Sequence, residues 1–127
     1  MEWFVDGNNV MGSRADGWWN NPTKAKGRLA QQAAEWCNTH DDSVTVVFDR
    51  PVAAEVEMLS GGNLMVTFAR RGGRDAADDH IVTLVEQTYA TVADITVVTA
   101  DRGLTARLPP GVTVIGPRQW LSLIEDP

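Results

Sequence analysis

Along the whole chain, short apolar runs rich in β-branched residues alternate with stretches whose apolar residues recur at helical spacing. Trp3 to Val5 form one such run, closed by Asp6; Val44 to Phe48, Leu64 to Ala69, Ile95 to Thr99 and Val112 to Ile115 repeat its character. Turn-forming residues bound each run, so each reads as a buried strand. Between them the period changes. Leu29, Ala33, Trp36 and Cys37 fall at helical intervals from Thr23 to about Asn38, with Pro22 suited to the first turn. Val52, Val56 and Leu59 mark a short helix closed by Gly61-Gly62, and Ile81, Leu84, Val85 and Thr88 a longer one running through Tyr89. Arg102 to Leu108 form another short helix, and Pro117 opens a last one carrying Trp120, Leu121 and Ile124. Residues 7–22 read as a loop, marked by Gly7, Asn8, Asn9, Gly12, Gly17 and Pro22, with Trp18 and Trp19 inside it as a packed lid in preference to a base-stacking pair.

Strands that are apolar throughout and alternate with helices indicate an α/β fold of three layers, a central parallel sheet of four to five strands with helices on both faces. Residues 1–127 carry no linker or repeat and are expected to form a single domain. Right-handed crossovers place every strand C-terminus on one edge, and ligands of such sheets bind outside that edge.

Acids gather where that edge is expected. Asp6, Asp49 and Asp101 each follow a strand, and Asp75, Asp78 and Asp79 occupy the start of the helix after the third strand. Each has an ordinary structural role available: Asp6-Gly7 as a turn pair, Asp49 before a proline turn, Asp75 and Asp101 as N-caps, Asp78 or Asp79 complementing a helix dipole. Their joint placement points further. Two carboxylates ~4 Å apart repel by about 1 kcal/mol in water and about 4 kcal/mol at an effective dielectric near 20. A crevice holding several therefore needs protons or cations, and carboxylate, amide and water oxygens are the ligands of Mg²⁺ and Mn²⁺. Asp6 is the expected first ligand. One cysteine and the two separated histidines, His40 and His80, do not make a zinc site. No Gly-x-Ser-x-Gly elbow or Walker loop occurs, so metal-assisted hydrolysis of a phosphodiester is the reaction this donor set suggests.

Composition qualifies that picture. Hydrophobic residues make up 43% and charged residues 22% of the chain, as in ordinary globular proteins. No run spans a membrane, Met1-Glu2-Trp3 does not start a signal peptide, and the lone Cys37 reads as a buried thiol, so a cytoplasmic setting without a membrane partner is expected. The net charge of −6 runs against an unaided nucleic-acid binder. Arg70, Arg71 and Arg74 nevertheless cluster directly before the acidic group, and Lys24, Lys26 and Arg28 open the first long helix. An acidic pocket filled by cations and rimmed by these residues suits a phosphodiester. Trp18, Trp19 or Trp120, where exposed, would serve a homodimer contact, with core packing expected for at least one of them.

In order and spacing, Val5-Asp6-Gly7-Asn8-Asn9-Val10, Asp78-Asp79-His80-Ile81-Val82 and Val97-Val98-Thr99-Ala100-Asp101 resemble the motifs of NYN domains of the PIN-like nuclease superfamily. The bacterial YacP-like branch is the nearest in pattern, over almost the whole chain. The resemblance implies a PIN-like fold and Mg²⁺- or Mn²⁺-dependent cleavage of RNA. It implies Asp6, Asp78 or Asp79, and Asp101 as metal ligands, Asn9 as a polar orienter or secondary ligand, and Asp49 as an acid that positions water or the cation. Arg70, Arg71, Arg74 and Arg102 would then bind backbone phosphates. The compact, acidic chain departs from an autonomous RNA binder, which favours RNA presented by a ribosome or a protein partner. The competing reading is a PIN-like module that binds RNA or protein without catalysis.

Overall fold

The register of five parallel strands decides which residues meet. In the computed structural model, which describes residues 1–92 and 94–125, these are β1 (Glu2–Asp6), β2 (Ser43–Phe48), β3 (Leu64–Phe68), β4 (Ile95–Val98) and β5 (Thr113–Ile115). They form one sheet in the order β3-β2-β1-β4-β5. The chain moves outward on one side of β1, then returns to start β4 on the other, so strand order reverses at β1. Glu2 pairs with both Ser43 and Ile95, so β1, β2 and β4 begin level. Asp6 consequently lies opposite Val47, and Val5 opposite Val98. Asp49 and Asp101 then follow just beyond the ends of β2 and β4, on the edge where β1 ends in Asp6.

Among the described residues, six helices cover the two faces: α1 (Gly7–Gly12), α2 (Pro22–Cys37), α3 (Ala54–Glu57), α4 (Ala76–Tyr89), α5 (Arg102–Ala106) and α6 (Pro117–Glu125). Side chains alternate across a strand, and β1 shows the division. Trp3 and Val5 join Val10, Leu29, Ala33, Val56, Trp120 and Leu121 on the face under α1, α2, α3 and α6. Phe4 joins Ala77, Ile81, Val85, Val97 and Leu104 on the face under α4 and α5. The three-layer α/β expectation holds, with five strands.

Several local expectations change. Residues 7–22 are no simple loop, because α1 starts directly at the end of β1 and a 3-10 turn spans Trp18–Asn20. The period of α1 is hidden: it carries only one apolar pair, Val10 and Met11, both buried, beside glycines and asparagines that normally mark turns. Gly7 is needed for space and not for an unusual backbone angle. A Cβ there would lie 2.5 Å from the Phe48 ring and 2.9 Å from the Val47 carbonyl, so the first turn of α1 sits flush on β2. The helix expected over Val52–Leu59 shortens to Ala54–Glu57, leaving Val52 exposed. Asp75 occupies the N-cap position of α4 at φ 61°, yet its side chain makes no capping bond. Trp120 is fully buried in the core, which removes it from any dimer contact, whereas Trp19 is 62% exposed.

Candidate active site

Four of the sequence-predicted acids come together at the switch point. Asp6, Asp49, Asp78 and Asp101 line a cleft of about 260 Å³, with Asp75, Ala77, Asn8 and Asn9 completing its wall. Asp6 is only 6% exposed, being the last residue of the central strand. Its Oδ2 accepts a hydrogen bond from Thr99 Oγ1 at 2.9 Å, and the same hydroxyl accepts from the Asp101 backbone N–H at 3.0 Å. Thr99 therefore ties the end of β1 to the turn after β4. In sequence it is only the last residue of a strand; the available signal is a hydroxyl two positions before an acid at a strand end.

The asparagines of α1 hold the cleft walls. Asn8 Oδ1 accepts from the Asp49 N–H, and Asn9 Oδ1 accepts from the Ala100 N–H, both at 2.8 Å. One side chain pins the end of β2 and the other the end of β4, so Asn8 is as much a part of the site as Asn9. In both, the amide oxygen is engaged with backbone and the NH₂ group remains to donate. Asp101 caps α5, its Oδ1 accepting from the Leu104 N–H at 3.0 Å, which leaves the second carboxylate oxygen for other work.

Lys26 does not belong to a basic rim and is instead 6% exposed beneath this edge. Its Nζ donates to the Asp49 carbonyl at 3.2 Å and lies 5.7 Å from the centres of both the Phe48 and Phe68 rings. Burial pulls its pKa down, and the Asp49 carboxylate opposes that pull.

The cleft strains its own charge. The Asp6 carboxyl is pushed up to about 6, first by burial; the Thr99 hydrogen bond works against this, while Asp78 and Asp49 add repulsion. Asp78 is also pushed up to about 6, by burial and then by Asp101 and Asp75. Among the described residues, no three His, Cys, Asp or Glu side chains converge closely enough to enclose a metal ion by themselves. The donor chemistry still fits a hard divalent cation. Mg²⁺ takes one or two carboxylates and keeps several waters, and two repelling acids with proton affinities near neutrality are relieved by such a charge.

Asp79 is placed elsewhere. Its Oδ1 accepts from Arg107 Nη1 at 2.8 Å and its Oδ2 from Arg71 Nη2, outside the acidic cleft. It borders a second pocket of about 260 Å³ with Arg70, Arg71, Ala76, His80 and Thr83. The two guanidinium hydrogen bonds, Arg107 first, hold its pKa below the usual carboxylate range. His80 faces this pocket with its Nδ1 buried and unpartnered, and burial, then Arg70, lowers its pKa. Arg74 and Arg102 are exposed and line neither pocket. Arg107, absent from the sequence-predicted set, joins the arginines here from the end of α5.

Comparison with known proteins bears on the family and the fold. A family model described as the YacP-like NYN domain matches residues 3–108. Two solved structures of Rae1 (YacP) from Bacillus subtilis are similar to the chain at TM-scores of 0.78 and, for a mutant form, 0.75. Each is 23% identical, and each alignment covers 98% of this chain and 74% of the other. At that identity the likeness establishes the fold, which is PIN-like. No match is found among curated proteins.

Proposed function

Because the chain belongs to the YacP-like NYN domain family, a nuclease-type family, we propose that it is a divalent-metal-dependent endoribonuclease hydrolysing RNA phosphodiester bonds at the acidic cleft. The observation that carries this reading is the meeting of Asp6, Asp49, Asp78 and Asp101 at the edge where strand order reverses. Two of those carboxyls have pKa values raised to about 6, a shift typical of groups poised for a cation or a proton.

Asp6 and Asp78 would hold Mg²⁺ or Mn²⁺, with Asp101 and Asp49 contributing through water or a free oxygen. Bound there, the ion would lower the pKa of an attacking water and offset charge on the phosphoryl and leaving oxygens. The chain's own groups then have separable tasks. Thr99 fixes the Asp6 carboxylate, and Asn8 and Asn9 hold the walls at a set spacing while their NH₂ groups remain free to donate. Asp49, held by Asn8 and Lys26 through its backbone, is available to accept a proton from water. Arg70, Arg71, Arg74 and Arg102 supply positive charge for the RNA backbone.

The direct test is incubation of the purified chain with Mn²⁺ and single-stranded or structured RNA, beside the Asp6→Asn variant. Cleavage by the parent and a loss of about 10²–10³-fold in the variant are expected, as for removal of a central electrostatic group. No cleavage, or equal cleavage by Asp6→Asn, defeats the reading. A second reading, an RNA- or protein-binding module without catalysis, draws on the absence of a closed three-ligand set among the described residues and on the net charge of −6. Calorimetric titration with Mn²⁺ separates the two, since a catalytic site binds the ion and binds it more weakly after Asp101→Asn. RNA presented on a ribosome or by a partner is the substrate form most compatible with so acidic a chain; tight, salt-insensitive binding of naked RNA would count against that.

A further inference from the structure

We propose that Arg70, Arg71 and Arg107 form a phosphodiester-binding subsite beside the acidic cleft, in which the Asp79 carboxylate occupies the place an RNA phosphate takes in the complex. The inference rests on RNA being the substrate, and it gives Asp79 a role distinct from metal ligation.

Arg71 comes from the turn between β3 and α4, and Arg107 from the end of α5, so distant segments converge on one carboxylate and engage both its oxygens. A carboxylate and a phosphodiester offer a guanidinium the same forked pair of acceptor oxygens. A carboxylate already bridged by two cations is poorly placed to ligate a third. Arg70 adds a further guanidinium to the wall, and His80, whose Nδ1 is buried and unpartnered, borders the same pocket. The pocket is thus a cationic recess in an acidic protein, with one internal anion on its wall in the free chain.

Position favours the nucleic-acid strand as its ligand. Asp78 lines the acidic cleft and the next residue, Asp79, lines the arginine recess. A backbone crossing the cleft therefore carries an adjacent phosphate toward the recess. All the ion-pairing side chains are solvent-exposed, at 43% for Asp79, 57% for Arg71 and 44% for Arg107. Exposed ion pairs are screened and contribute little, so a polyanion can displace Asp79 from them.

The test is anisotropy of a fluorescently labelled single-stranded RNA titrated with the full chain across a salt series, in an Asp6→Asn background that suppresses cleavage. Adding Asp79→Asn removes the resident anion; RNA binding should tighten by roughly tenfold at low salt, and the log–log salt slope should steepen by about 0.7 for each further phosphate that the arginines neutralise. Adding Arg107→Ala should weaken binding and make the slope shallower by about the same amount. Melting temperatures read alongside verify that both variants fold. Binding that is unchanged or weaker in Asp79→Asn overturns the subsite, as does loss of calorimetric Mn²⁺ binding when Asp79→Asn is placed in the otherwise unsubstituted chain. Cleavage by the parent with unchanged Asp79→Asn binding defeats the subsite alone, whereas RNA ignored by every chain defeats it together with the nuclease reading.

Discussion

Asp78 and Asp79 are neighbours in the first turn of α4, and the structure gives them opposite chemistry. Asp78 meets Asp6, Asp49 and Asp101, and its carboxyl rises to about 6 under burial and then the repulsion of Asp101 and Asp75. Asp79 meets Arg107 and Arg71, and its carboxyl falls below the ordinary range. An α-helix turns about 100° per residue, so adjacent side chains leave it in different directions. That one step separates a cleft short of positive charge from a recess with positive charge to spare. The boundary between the acidic cleft and the arginine recess therefore runs through a dipeptide that looks uniform in sequence, and on the proposed reading it would divide the cation's place from the phosphate's.

The largest effect that would break this contrast is on cleavage. Asp78→Asn should lower Mn²⁺-dependent RNA cleavage by about 10²–10³-fold, while the metal-free protein should melt at a higher temperature, because a repelled carboxylate has been removed. If Asp78→Asn cleaves as well as the parent, the two aspartates are not divided as described.

Acid titration comes next. Asp6 and Asp78 have folded pKa values near 6, above the 3.8 of an unperturbed aspartate. Between about pH 4 and 6 the folded state thus binds more protons than the unfolded one, so metal-free stability should fall as pH rises through that window. Mn²⁺ affinity should run the other way, dropping by roughly tenfold per pH unit below 6 for each ligand that must lose its proton. Thermal melts and calorimetry at pH 5 and 7 check both signs. Metal-free melting that rises from pH 5 to 7 would contradict the crowded-carboxylate account.

The layers of this fold are legible in the sequence because its strands are apolar on both faces and its long helices carry strong periodicity, as in Leu29, Ala33, Trp36 and Cys37. The edge on which the acids gather follows from parallel topology alone. What stays hidden depends on contacts across the sheet. α1 carries too few apolar residues to show a period, and Asn8 and Asn9 read as turn formers because their partners, the Asp49 and Ala100 N–H groups, lie beyond other strands. Lys26 looks like a surface charge because nothing in its own helix announces Phe48 and Phe68 below it. The different surroundings of Asp78 and Asp79 are equally out of reach, since Arg107 arrives from a helix almost thirty residues on.

The smallest expected effect sharpens the contrast most selectively. Thr99→Val keeps the size and branching of a side chain that is 3% exposed and deletes only the hydroxyl. Asp6 Oδ2 then loses its hydrogen bond, and the Asp101 N–H loses its acceptor. A hydrogen bond to a charged group contributes about 1.5–3 kcal/mol, so denaturant unfolding at pH 7 should show a loss of that order. The Thr99 bond also lowers the Asp6 pKa against burial, so without it the carboxyl should titrate above 6 and the acid limb of Mn²⁺ binding should move to higher pH. Thr99→Ser, which restores the hydroxyl, should return that limb toward its starting position even where stability is not fully regained. Asp79 lies outside this network, so the salt dependence of RNA binding should stay put. A lower stability with an unmoved acid limb would reduce Thr99 to a packing residue and remove it from the cleft.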